Sequence, residues 1–194
     1  MKRVFFLVFI LSAALVSAAP KSDLWSIWTP SDEASTATID HSTWNEFLSE
    51  YVSYDQGLAM NVMDYAGAKG RGESQLRRYI SEMEKIKILS YSRAEQKAYW
   101  INLYNAVTVK LILDFYPLNS IRDISFGIFG PGPWDEELVT VEGTGLTLND
   151  IEHRILRPIW NDPRIHFAVN CASIGCPDLW DVAYTAENTE SIMD

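Results

Sequence analysis

The chain is 194 residues long, 47% hydrophobic and 12% aromatic, and carries a net charge of −10. So many aromatic residues go with a packed globule rather than a disordered chain, and the acidity disfavours nucleic acid or an anionic membrane as partner. There is no repeat and no low-complexity segment.

The N-terminus reads "MKRVFFLVFILSAALVSAAP". Lys2 and Arg3 form a basic start, Val4 to Val16 an apolar run, and "VSA" the small residues that a signal peptidase reads. This predicts a secretory signal over residues 1–18 and cleavage after Ala18. The apolar run, about 13 residues, is too short for a bilayer, which takes about 20. No later segment is apolar for long enough to span, so no stable membrane insertion is expected after cleavage. The expected location is periplasmic or extracellular. Residues 19–40, rich in Ser, Thr, Asp and Pro, are predicted as a mobile lead-in, and residues 41–194 as a single globular domain.

In "STWNEFLSEYVSY" (42–54), Trp44, Phe47, Leu48 and Tyr51 recur at helical spacing behind Ser42 as a candidate N-cap. Residues 57–72 read as a short extended segment and a glycine-punctuated turn. Residues 73–89 form an amphipathic helix with Leu76, Tyr79, Ile80, Met83 and Ile86 on one face. Residues 92–117 are apolar nearly all round, which predicts a buried central helix. Ser92 and Glu95 stand at capping-box spacing, and Pro117 closes the helix. On this helix Asn102 and Asn105 share a face, extended by Thr108. Buried amides need fixed partners, so they either tie down a neighbouring loop or serve a site.

"FGIFGPGPWDEE" (126–137) is a glycine- and proline-rich loop, a candidate lid or pocket lip, and residues 137–143 alternate as a strand. Thr147 and Asp150 cap the helix "LNDIEHRILRP", in which Ile151 and Ile155 point inward. Asp150, His153 and Arg157 form the opposite polar side with Glu152 at its boundary, and a solvated face is the default for such residues. "RIHFAVNC" (164–171) alternates as a strand, with His166, Ala168 and Asn170 on one face and Ile165, Phe167, Val169 and Cys171 on the other. A helical pattern begins in "AYTAENTESIMD". The order of elements predicts an α+β fold: a helix-rich single domain with a buried central helix and a small antiparallel sheet.

Four separated motifs, "MDYAG" (63–67), "KAYWINLYNAVTVKLI" (97–112), "LTLNDIEHRILRP" (146–158) and "DPRIHFAVNCASIGCPDLWDVAYTAE" (162–187), resemble in order the domain of unknown function 547 family of bacteria and plants. The resemblance implies that Trp100, Asn102, Tyr104, Asn105, Glu152, His153, Arg157, His166, Asn170, Cys171, Cys176 and Pro177 sit at motif positions. It also implies that members continue past residue 194 with a further helix. It implies no particular activity.

Two cysteines in an exported chain are more often a disulfide than free thiols, and Cys171 and Cys176 are close enough in sequence for a loop to join them. The favoured reading is a ligand- or partner-binding domain of the cell envelope, its partner an unidentified small molecule or envelope protein. Asn102, Asn105, Arg157, Asn170 and Cys176 are its candidate binding residues. The alternative is a thiol-dependent hydrolase or transferase of papain or transglutaminase type. There Cys171 or Cys176 would be the nucleophile, His166 or His153 the base and an asparagine or Glu152 the orienting group. A zinc site from His153, His166, Cys171 and Cys176 has suitable ligands, but the cysteine gap is wider than in compact knuckles. The sequence specifies no cofactor and no metal ligand. Strand and helix periodicity together predict that His166 and Asn170 meet Glu152, His153 and Arg157 in one polar cluster beside the asparagines of the central helix.

Overall fold

A computed structural model of the chain describes residues 22–127, 130, 132–172 and 176–194. The expected signal segment lies outside these residues, and the glycine- and proline-rich loop and the loop between the cysteines are described only in part. Among the described residues no helix is long and apolar enough to cross a membrane.

The fold is α+β, and its centre is α4 (Arg93–Phe115), buried along most of its length. Ser92 caps it by accepting from Glu95 N, and Tyr116, extended ahead of Pro117, ends it. Only half of the expected capping box forms. The Glu95 side chain does not return to Ser92 but reaches across to accept from Ile39 N at 3.0 Å. Before α4 come α1 (Ser42–Tyr51), the hairpin of β1 (Val52–Asp55) and β2 (Met60–Met63), the short α2 (Tyr65–Ala68), and α3 (Arg71–Met83). Trp44, Phe47, Leu48 and Tyr51 of α1 are all buried, as are Leu76, Tyr79, Ile80 and Met83 of α3. Trp44 stacks on Tyr79 with ring centroids 5.9 Å apart. Gly72 lets α3 approach α1 closely, because a Cβ there would stand 2.7 Å from the Tyr51 ring.

After α4 the second hairpin pairs β3 (Val139–Val141) with β4 (Thr144–Leu146). Its turn residues Glu142 and Gly143 both have positive φ, as a two-residue type I′ turn requires. The antiparallel part of the fold is thus two separate hairpins. Thr147 and Asp150 then form a full reciprocal capping box: Thr147 N donates to Asp150 Oδ2 and Asp150 N to Thr147 Oγ1, both at 3.0 Å. The helix they open is π-helical over Asp150–Leu156 and continues as α5 (Arg157–Trp160). A helical turn, α6 (Ile165–Ala168), and α7 (Thr189–Met193) complete the chain.

Three expectations are corrected here. Residues 164–171 are not a strand. Asp162 accepts from Arg164 N at 3.0 Å, a local turn that starts α6, and Ile165 and Ala168 are buried three apart while His166 and Phe167 face outward. His153 is not on a solvated face but is 5% exposed. The lead-in, read as mobile, packs on the domain where it is described: Trp28 is 2% exposed, its ring edge-on to Trp100 with centroids 5.2 Å apart.

The lead-in docks where Pro158 interrupts the helix. Proline has no N–H, so Arg154 O lacks its donor four residues on and His153 O its donor five residues on. Asp23 N donates to His153 O at 3.1 Å and Trp25 N to Arg154 O at 3.0 Å. The Arg154 guanidinium also lies over the Trp25 ring, 4.0 Å from its centroid.

Candidate functional site

In an α-helix Glu152 and Arg157, five residues apart, would point about 140° away from each other. The π-helical stretch brings them together: Arg157 N donates to Glu152 O, and the Arg157 guanidinium pairs with Glu152 Oε1 at 2.7 Å. Single π turns of this kind are frequent at functional sites. From α4 the Tyr104 hydroxyl donates to Glu152 Oε2 at 3.3 Å. Burial and the Glu152 charge raise the Tyr104 phenol well above its usual range, so it stays protonated.

Arg157 Nη2 also lies 3.2 Å from His166 Nδ1 on α6. A guanidinium only donates, so Nδ1 accepts and the His166 proton sits on Nε2. The His153 ring stands 3.9 Å from Glu152 Oε2, beyond hydrogen-bond range, and its buried Nδ1 has no partner among the described residues. Burial lowers its pKa, and the charge of Arg157 acts the same way, against the opposing pull of Glu152. His153 is therefore neutral near pH 7. Arg157 and His166, with Ser22, Asn161, Asp162 and Pro163, line an open cleft of about 510 Å³.

The remaining expected site residues form a clamp. Asn105 Nδ2 donates to Ala168 O at 2.9 Å, and Asn105 Oδ1 accepts from Asn170 N at 2.8 Å. Asn102 does the same at the next segment, donating to Tyr184 O at 2.7 Å and accepting from Tyr184 N at 3.0 Å. Each amide supplies the donor and acceptor that a neighbouring strand would have offered, so these segments are held without a sheet. The Asn170 side chain bonds backbone, donating to Pro177 O at 2.6 Å and accepting from Ala172 N at 2.8 Å. It thereby braces the loop that the Cys171–Cys176 disulfide closes.

Of the expected cluster, Glu152, His153, Arg157 and His166 come together, while the Asn102, Asn105 and Asn170 side chains bond backbone groups instead. A disulfide sulfur is neither a thiolate nor a metal ligand, so the thiol-enzyme and zinc readings have no support in this arrangement. Among the described residues no group of three or more His, Cys, Asp or Glu side chains converges as a metal site. Sequence reasoning gave no role to Tyr104 or to the "NDP" turn (161–163). The turn's composition signals a loop, but only the fold brings it beside Arg157.

Residues 88–194 match the model of a family described as a protein of unknown function, DUF547. The chain belongs to this family. The match takes in α4, the π-helical stretch and the disulfide loop, so both halves of the cluster and the asparagine clamp lie within the DUF547 region. The "MDYAG" motif, helices α1 to α3 and the docked lead-in lie outside it. No curated protein and no solved structure gives a significant match.

Proposed function

We propose that this protein is an exported domain of the cell envelope that binds a small polar ligand at the cleft between Arg157 and His166. The carrying observation is the guanidinium that joins Glu152 to His166 at the rim of that cleft. With Nδ1 accepting from Arg157, His166 offers a donor at Nε2, and Arg157 keeps further N–H groups. Asp162, the one carboxylate among the described residues of the lining, is engaged by Lys97 and Arg164. The unengaged groups are therefore mainly donors, and they suit a ligand bearing an acceptor such as a carboxylate. Export rests on the N-terminal pattern, and the disulfide is in keeping with an oxidising compartment.

The test is a titration with succinate and with butanediol, its neutral counterpart, followed by thermal stability and amide NMR shifts. Succinate is expected to raise the melting temperature and shift amides of residues 157–166, and Arg157→Gln to abolish both effects. No response to about 10 mM succinate, or an equal response in the variant, overturns the reading.

A further inference from the structure

A second cleft, of about 570 Å³, lies between the N-terminus of α1, the first turn of α4 and residues 183–188. Its lining includes Asp40, His41, Asn45, Glu95, Glu187 and Asn188. The volume is in the range of small-molecule sites.

Two buried side chains form its walls. His41 is 4% exposed, and its Nδ1 lies 2.7 Å from the Tyr79 hydroxyl. The other ring nitrogen, Nε2, on the edge turned away from Tyr79, is buried and has no partner among the described residues. Burial pushes the His41 pKa down to about 4, so the imidazole is neutral near pH 7 and adds no positive charge. Glu95 is 8% exposed; its Oε2 accepts from Ile39 N, and Oε1 accepts from none of the described residues.

The charge balance selects the ligand. Asp40, Glu95 and Glu187 place three carboxylates around the cleft, and among the described residues lining it there is no Lys or Arg. The N-termini of α1 and α4 oppose them with about half a positive charge each, which leaves the cleft negative. Asn188 is engaged at both amide atoms, bonding Thr185 N and Ala183 O, and Asn45 Oδ1 accepts from Ala183 N. On the two buried walls, Glu95 Oε1 and the His41 Nε2 stay unpartnered among the described residues.

We propose that the His41–Glu95 cleft is a second binding site, which takes an organic cation with an ammonium or guanidinium group. The cation donates to Glu95 Oε1 and, where His41 gives its own proton from Nδ1 to Tyr79, to the lone pair on Nε2. Asp40 and Glu187 at the exposed rim attract it from solution. This site is independent of the one at Arg157.

The experiment titrates the purified mature protein with cadaverine and agmatine, and with pentanediol and glutarate as neutral and anionic counterparts of cadaverine. Binding is followed by calorimetry and by amide NMR shifts. At least one cation is expected to bind saturably with a dissociation constant below about 1 mM, shifting amides of residues 38–45 and 183–188. Glu95→Gln keeps an acceptor for Ile39 N and is expected to weaken binding by about tenfold or more. Glu187→Gln, at an exposed position, weakens it less, and decides the matter if Glu95→Gln fails to fold. No saturable binding of either cation overturns the proposal, as does equal binding of pentanediol or glutarate. Unchanged affinity in a folded Glu95→Gln protein, or in Glu187→Gln should that protein not fold, also overturns it.

Discussion

Arg157 and Glu152 form an ion pair at 2.7 Å across five residues of a π-helical stretch, and Pro158, immediately after, leaves two carbonyls of that stretch to the N-terminal segment. Local backbone geometry, the cleft and the docking of the lead-in are thereby one arrangement. Pro158→Ala returns an N–H to the helix, in competition with Trp25 N for Arg154 O. Hydrogen exchange at the Asp23 and Trp25 amides is expected to quicken, by about fivefold for a bond that contributes about 1 kcal/mol. Unchanged protection at both amides would mean that Pro158 does not govern the docking.

Asn105→Leu removes both partners of the Ala168–Asn170 segment while keeping bulk in the core. The carbonyl of Ala168 and the amide of Asn170 are left without bonds, at about 1–3 kcal/mol each for a buried group. The melting temperature is expected to fall by about 6–12 °C in calorimetry. A shift of only a degree or so would show that the clamp adds little.

Acid titration reports His41. Its pKa falls from 6.5 to about 4 on folding through burial, with Asp40 acting weakly against this. Between these values the unfolded chain binds more protons than the native one. Stability is therefore full above pH 6.5 and declines as pH falls towards 4, by about 3 kcal/mol from this group. His153, also lowered by burial, adds in the same direction. Denaturant melts at a series of pH values are expected to show a shallower decline for His41→Gln than for wild type. Parallel curves would sink the assignment.

Reducing the Cys171–Cys176 bond frees a short loop. The entropy of closing about six residues corresponds to about 2 kcal/mol. Reductant is expected to lower the melting temperature by several degrees. Alkylation followed by mass spectrometry is expected to find two reactive thiols only after reduction; two thiols found without reductant would reverse this and reopen the thiol-enzyme reading.

The exported form is expected to begin at Ala19, checked by N-terminal sequencing of the protein recovered outside the cytoplasm. A chain that still begins at Met1 there would remove the case for a cleaved signal.

Periodicity in the sequence was sufficient for the helices that bury a continuous face. Trp44, Phe47, Leu48 and Tyr51, and the nearly all-apolar stretch of α4, have one way to leave water, and Ser92 and Pro117 mark the ends of that stretch locally. It also made Asn102 and Asn105 stand out, because amides on an apolar helix need partners, although which backbone they hold was not written in it. Tertiary structure decided the rest. "RIHFAVNC" alternates like a strand, yet among the described residues no strand pairs with it; the Asn105 amide holds its backbone and it coils into α6. The alternation of "LNDIEHRILRP" assumes 3.6 residues per turn; the wider π turn and Pro158 rotate Arg157 onto Glu152. Glu95 has the spacing of a capping box, but Ile39, distant in sequence, takes its carboxylate. For Glu95 and for residues 168–170 a partner far along the chain supplied the bond, and for Arg157 the wider helical turn did.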